Sequence, residues 1–108
     1  MAKKFLGIAK YSISPNGKLG DGTWTNNFEH YQFKPEWLIT PVQTGGLSGI
    51  YNSIWDELET RHTARLDVQE HKGVLLFSWK EGLDNIETFQ GLGLIQGDSV
   101  VVSYHPVV

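Results

Sequence analysis

The sequence predicts an all-β domain of about eight antiparallel strands, and three observations predict it. Twelve glycines punctuate short runs rich in Val, Ile, Leu, Thr, Tyr, Phe and Trp, the pattern of strands joined by tight turns. Turn signals recur at close spacing: Pro15-Asn16-Gly17, Thr44-Gly45-Gly46, the polar Glu70-His71-Lys72-Gly73, and Gln96-Gly97-Asp98 between two apolar runs. Ala64, Leu66 and Val68 alternate with Arg65, Asp67 and Gln69, which gives that stretch one buried and one wet face.

Taken in order, strands are expected near 4–13, 22–30, 37–42, 48–55, 62–69, 74–80, 86–95 and 99–106. The first begins with Lys3-Lys4 ahead of Phe5-Leu6-Gly7-Ile8-Ala9. It starts like a secretion signal, but the apolar run meets Lys10 before a signal-length core forms, so it reads as a strand. The fourth has a competitor. Leu47, Ile50, Tyr51, Ile54, Trp55 and Leu58 fall on one face of a helix that Ser48 could cap. Two isoleucines and the triplet Tyr51, Ser53, Trp55 favour a strand, with Asp56-Glu57-Leu58-Glu59 as a loop. Val74-Leu75-Leu76-Phe77-Ser78-Trp79 and Val100-Val101-Val102 are apolar on both faces, so something is expected to pack on each side. A homo-oligomer would supply it.

The chain has 108 residues, one domain's worth. Five Phe, four Tyr and four Trp can fill a single core. Without cysteine there is no disulfide scaffold, thiolate metal site or Cys nucleophile. A net charge of −3 lacks the basic surplus of a nucleic-acid binder. No run approaches the ~20 apolar residues of a membrane helix, so a cytoplasmic protein with neither nucleic-acid nor membrane partners is expected.

Catalytic motifs are missing. His30, His62, His71 and His105 never fall at the two- or four-residue spacing that pairs ligands on one face, so no metal and no cofactor is expected. Asp56, Glu57 and Glu59 form the densest acidic group and read as a solvated loop. Gly91-Leu92-Gly93 has two glycines of a dinucleotide fingerprint but sits in a strand-like run, where glycine marks a bend or close backbone approach. What stands out is aromatic: Trp24, Trp37, Trp55 and Trp79 with Tyr11, Tyr51 and Tyr104, interspersed with Thr25, Asn26, Ser53, Ser78 and Ser103. Such a set describes either a small-molecule pocket or a β-barrel core whose Trp and Tyr need hydrogen-bond partners.

Three segments carry a family resemblance: Gly22-Thr23-Trp24-Thr25-Asn26-Asn27, Gly46-Leu47-Ser48-Gly49-Ile50-Tyr51-Asn52-Ser53, and Phe77-Ser78-Trp79-Lys80 before Phe89-Gln90-Gly91. In order and spacing they resemble the avidin and streptavidin family, within the calycin group of small eight-stranded barrels. The resemblance implies that Asn26, Tyr51, Ser53 and Trp79 line a ligand cavity. The chain departs from that family at its end, Ser103-Tyr104-His105-Pro106-Val107-Val108, where the family has an acidic residue nearby. The pattern Gly-x-Gly, Gly-Asp, Val-Val-Ser-Tyr also resembles that of uncharacterised bacterial calycin-like proteins.

The expectation is therefore an avidin- or lipocalin-like up-and-down barrel whose closure removes exposed edges. It would bind a small apolar or aromatic molecule between Trp24, Asn26, Tyr51, Ser53, Trp55, Trp79 and Tyr104. A cofactor-free isomerase or cyclase using Tyr51, His105 or a buried carboxylate is the alternative. A protein-interaction module is the third reading, expected if side chains fill the barrel.

Overall fold

The computed structural model describes residues 4–107, with the backbone alone over 40–45. Met1–Lys3 and Val108 lie outside the described residues. Eight strands follow in order: β1 Gly7–Ile13, β2 Leu19–Asn26, β3 Lys34–Gly45, β4 Ser48–Glu57, β5 Thr60–His71, β6 Val74–Glu81, β7 Ile86–Gln96 and β8 Ser99–Pro106. Each pairs antiparallel with the next, and β8 returns to β1, so the sheet closes into a barrel. Closure satisfies the edges that an open sheet would expose. Among the described residues no helix is long and apolar enough to cross a membrane.

The expected strands are all present, and their ends differ for local reasons. β2 stops at Asn26 because the Asn26 side chain accepts from the Phe28 and Glu29 amides, at 2.9 Å each, and caps a 3-10 turn over Asn27–Glu29. β4 is a strand throughout, paired with β5 from Gly49↔Val68 to Glu57↔Thr60. Its alternation buries Tyr51, Ser53 and Trp55 and leaves Ile50 and Ile54 half-buried on the other face. Sheet neighbours on both sides reward that period-2 face more than helical spacing. Asp56 and Glu57, expected in a loop, are instead the last residues of β4.

The connection that remains is the two-residue turn Leu58–Glu59, with φ of 51° and 64°. A two-residue hairpin loop of this hand favours Asn-Gly, because side chains are strained in the left-handed region. The double substitution Leu58→Asn, Glu59→Gly should therefore raise stability by about 1–2 kcal/mol, read from the urea midpoint.

The strand directions give the barrel two unlike ends. At one end, where the turns around Gly17, Gly46, Gly73 and Gly97 lie, the interior is filled by Leu19, Tyr51, Val68, Leu75 and Val100, all buried. The Tyr51 hydroxyl donates to the Leu47 carbonyl at 2.8 Å and accepts from the Leu19 amide at 3.3 Å. At the other end lie the start of β1, the end of β8, the 27–33 segment, the Leu58–Glu59 turn and the 82–85 turn. Glycine on β7 marks a close approach, as expected: a Cβ on Gly91 would stand 2.7 Å from a Val102 methyl.

The doubly apolar runs divide cleanly. Leu75, Phe77, Trp79, Val100 and Val102 point inward and are buried, whereas Leu76 stays outside at 40% exposure, next to Leu92 and Leu94 of β7 at 59% and 56%. Leu76 lies opposite Leu92 and Leu94 opposite Val101, so these side chains form one patch across β6, β7 and β8.

Candidate functional site

A cavity of about 40 Å³ lies toward the end of the barrel where β1 begins and β8 ends. Its walls are Trp24, Trp55, Trp79, Phe89 and Tyr104, each an inward position on a different strand. The rings continue a stack that starts deeper in the core: Tyr11 on Phe77 at 5.7 Å, Phe77 on Trp79 at 5.6 Å, and Trp79 beside Tyr104 at 6.1 Å.

Glu36 on β3 also lines the cavity, and it is only 4% exposed. Its carboxyl accepts from the Tyr11 hydroxyl at 2.6 Å, the Ser53 hydroxyl at 2.6 Å and the Trp79 indole N–H at 3.0 Å. β1, β4 and β6 each contribute one donor, so the carboxyl ties three strands together across the barrel. Burial pushes the Glu36 pKa up, and these three hydrogen bonds oppose the rise without cancelling it. Burial together with the neighbouring Glu36 raises the Tyr11 hydroxyl further above its ordinary range. Gly22 makes the arrangement possible, because a Cβ there would meet the Tyr11 ring at 2.5 Å and the Lys10 carbonyl at 2.3 Å.

Nearer the mouth, the Asn26 amide donates to the Tyr104 hydroxyl at 3.0 Å, and that hydroxyl donates to the Thr25 carbonyl at 3.1 Å. Burial pushes the Tyr104 hydroxyl up to about 12. Glu57 lines the cavity as well. Its pKa is raised by burial first and then by the adjacent Glu29 carboxyl. His62 stacks on Trp55 at 5.4 Å, with its ring nitrogens 3.9 Å from Glu57 and 3.6 Å from Glu81. Lys34 lies 5.7 Å from the centre of the Trp24 ring and 3.5 Å from Glu29. The Trp24 indole N–H is buried and meets no acceptor among the described residues.

Five of the seven residues expected at a ligand site line this cavity: Trp24, Asn26, Trp55, Trp79 and Tyr104. Ser53 joins it through Glu36. Tyr51 does not, since its hydroxyl is used at the filled end. His105, considered for catalysis, sits on the outer surface against the Pro106 carbonyl at 2.9 Å. Trp37 is half-buried with the Arg61 guanidinium 5.6 Å from its ring, away from the cavity. Of the candidate catalytic groups, only a buried carboxylate reaches the cavity.

Glu36 and Glu57 were the residues that sequence reasoning missed. Glu36 stands next to Trp37 in Pro35-Glu36-Trp37, and the parity that turns Trp37 outward turns Glu36 inward. For Glu57 the signal was continuation of Tyr51, Ser53, Trp55 by one more period-2 step. Comparison with protein-family models, curated proteins and solved structures returned no match.

Proposed function

We propose that the protein binds a small molecule whose compact apolar or aromatic group enters this cavity, in a barrel of the calycin type. The observation that carries the reading is Glu36, an ionisable group buried on an aromatic-walled cavity and held by three side-chain donors. A carboxyl withdrawn from water at such expense, with a perturbed pKa in a cleft, is a functional-site signature. The unpartnered Trp24 N–H adds a donor that an acceptor on the ligand would satisfy. Because the other end is filled, the ligand inserts a head group and leaves the remainder at the mouth.

Titration with a library of small ring compounds, followed by tryptophan fluorescence and by the indole N–H signals in NMR spectra, tests the reading. A binder should shift the signals of Trp24, Trp55 and Trp79 while leaving Trp37 in place. A uniform lack of response at millimolar concentrations would remove the binding function.

A second reading, proton-transfer catalysis on a small metabolite, draws support from the same carboxyl. Its raised pKa suits a general acid or base in a dry site. Turnover of a bound compound, abolished in Glu36→Gln while binding persists, would distinguish it from simple binding.

The outer face supports a partner too: a second copy of this chain. A groove of about 560 Å³ there has Leu76 and Leu92 among polar residues that include Lys80, Asp67, Glu87 and Gln90. An apolar centre with a polar rim is the usual anatomy of an interface. Leu92→Lys should weaken self-association with little effect on folding, because the side chain is already exposed; sedimentation velocity at micromolar concentration reads the result. A wild-type monomer there would exclude the dimer.

A further inference from the structure

The geometry points to an organic cation as the occupant of the cavity: a methylated ammonium head held between tryptophan faces and the Glu36 carboxyl. This inference rests on the binding reading above and specifies the charge of the ligand.

Three indoles, two phenols and a phenyl ring line the cavity, and aromatic rings attract a cation through their quadrupoles, the indole most strongly. Two carboxyls, Glu36 and Glu57, line the same space, and among the described residues no lysine, arginine or histidine does. Three hydrogen bonds fix the Glu36 carboxyl in place, so what it offers a quaternary nitrogen, which has no N–H to donate, is charge.

The fold itself already uses this chemistry at the mouth. Lys34 places its ammonium 5.7 Å from the centre of the Trp24 ring and 3.5 Å from Glu29, so one cation is held there by an indole and a carboxylate together. Further in, Trp79 and Glu36 again set an indole beside a carboxyl, here through the indole N–H, and among the described residues no cationic side chain lines the cavity. Around the opening, Glu29, Glu57 and Glu81 face Lys34 and His62, an acidic balance that draws cations in. Glu29 and Glu57 also repel each other, and a cation arriving between the mouth and Glu36 relieves that repulsion. A methylated nitrogen gives up its hydration more readily than a bare ammonium. An anionic head would meet two carboxyls with no counter-charge, which burial makes prohibitive.

The test compares choline with its neutral isostere 3,3-dimethyl-1-butanol, in which carbon replaces the quaternary nitrogen, at constant ionic strength set with sodium chloride. The indole N–H signals of Trp24, Trp55 and Trp79 report occupancy. Choline should bind at least tenfold more tightly than the isostere, the scale of a desolvated cation–π contact. In Glu36→Gln, which keeps the shape and removes the charge, the ratio should fall toward one while the isostere's affinity is retained. Equal affinities in the wild-type protein would overturn the cation assignment and leave an apolar binding site. If neither compound moves any of the three indole signals, and a library of neutral rings also fails, the binding reading falls with it. The wild-type ratio decides the matter even if the variant folds poorly.

Discussion

Replacing Glu36 with alanine should cost this protein about 3–5 kcal/mol, a loss out of proportion to one side chain. The carboxyl accepts from Tyr11, Ser53 and Trp79 in the barrel interior. Each buried donor left without an acceptor costs roughly 1–3 kcal/mol, and the two hydroxyls recover part of this by turning to other acceptors. In a domain of this size the melting temperature should fall by on the order of 15 °C or more. Glutamine should behave differently. Its oxygen can keep the Trp79 and Ser53 bonds, and its amide can donate to a Tyr11 hydroxyl that turns to accept. Glu36→Gln should therefore stay within about 1 kcal/mol of the wild type at neutral pH. It should also change the pH profile. Because burial raises the Glu36 pKa, the folded state holds this proton more tightly than the unfolded chain does. Its contribution to stability is therefore largest below the ordinary glutamate range, falls as pH rises to the raised folded value, and is flat above it. Urea midpoints measured across that interval should lose this component in Glu36→Gln. An unchanged profile would show that Glu36 does not titrate as its burial requires.

Trp79→Ala should cost a further 3–5 kcal/mol of folding stability, roughly the range for truncating a core aromatic, and should abolish binding at the cavity. The two effects come together because the ring has two roles. One part stacks on Phe77 and Tyr104 within the core, and another lines the cavity and donates to Glu36. Trp79→Phe separates them. Phenylalanine keeps most of the packing but has no N–H, so its stability loss should be about half that of alanine. If Trp79→Ala melts like the wild type, the ring is not part of the core that its burial describes.

Eight strands were legible because their signals are local: alternation within a strand and Asn-Gly or glycine at a turn report on neighbours in sequence. The same holds for the aromatic walls, since Trp24, Trp55, Trp79 and Tyr104 sit on strands whose parity could be read. What stayed hidden was where a strand ends and how far along the barrel axis each inward side chain lies. Glu57 looked like part of a polar loop, yet it continues the inward face of β4. Tyr51 has the same inward parity as Trp55 but lies toward the filled end, and position along the barrel axis leaves no mark in a strand's own pattern. His105 is placed outward by the alternation that buries Tyr104.

That this chain is all-β, that its strands are antiparallel, and that they carry enough aromatic residues to fill a core could be read from local pattern alone. These properties follow from backbone preference and side-chain period, which act over a few residues. The closed barrel was expected, but the three-dimensional packing alone shows that one end is filled and the other holds a cavity, and that Glu36 stands among Tyr11, Ser53 and Trp79. Those contacts join residues 17, 25 and 43 positions apart. Their geometry depends on the closure of the sheet, which no single strand contains.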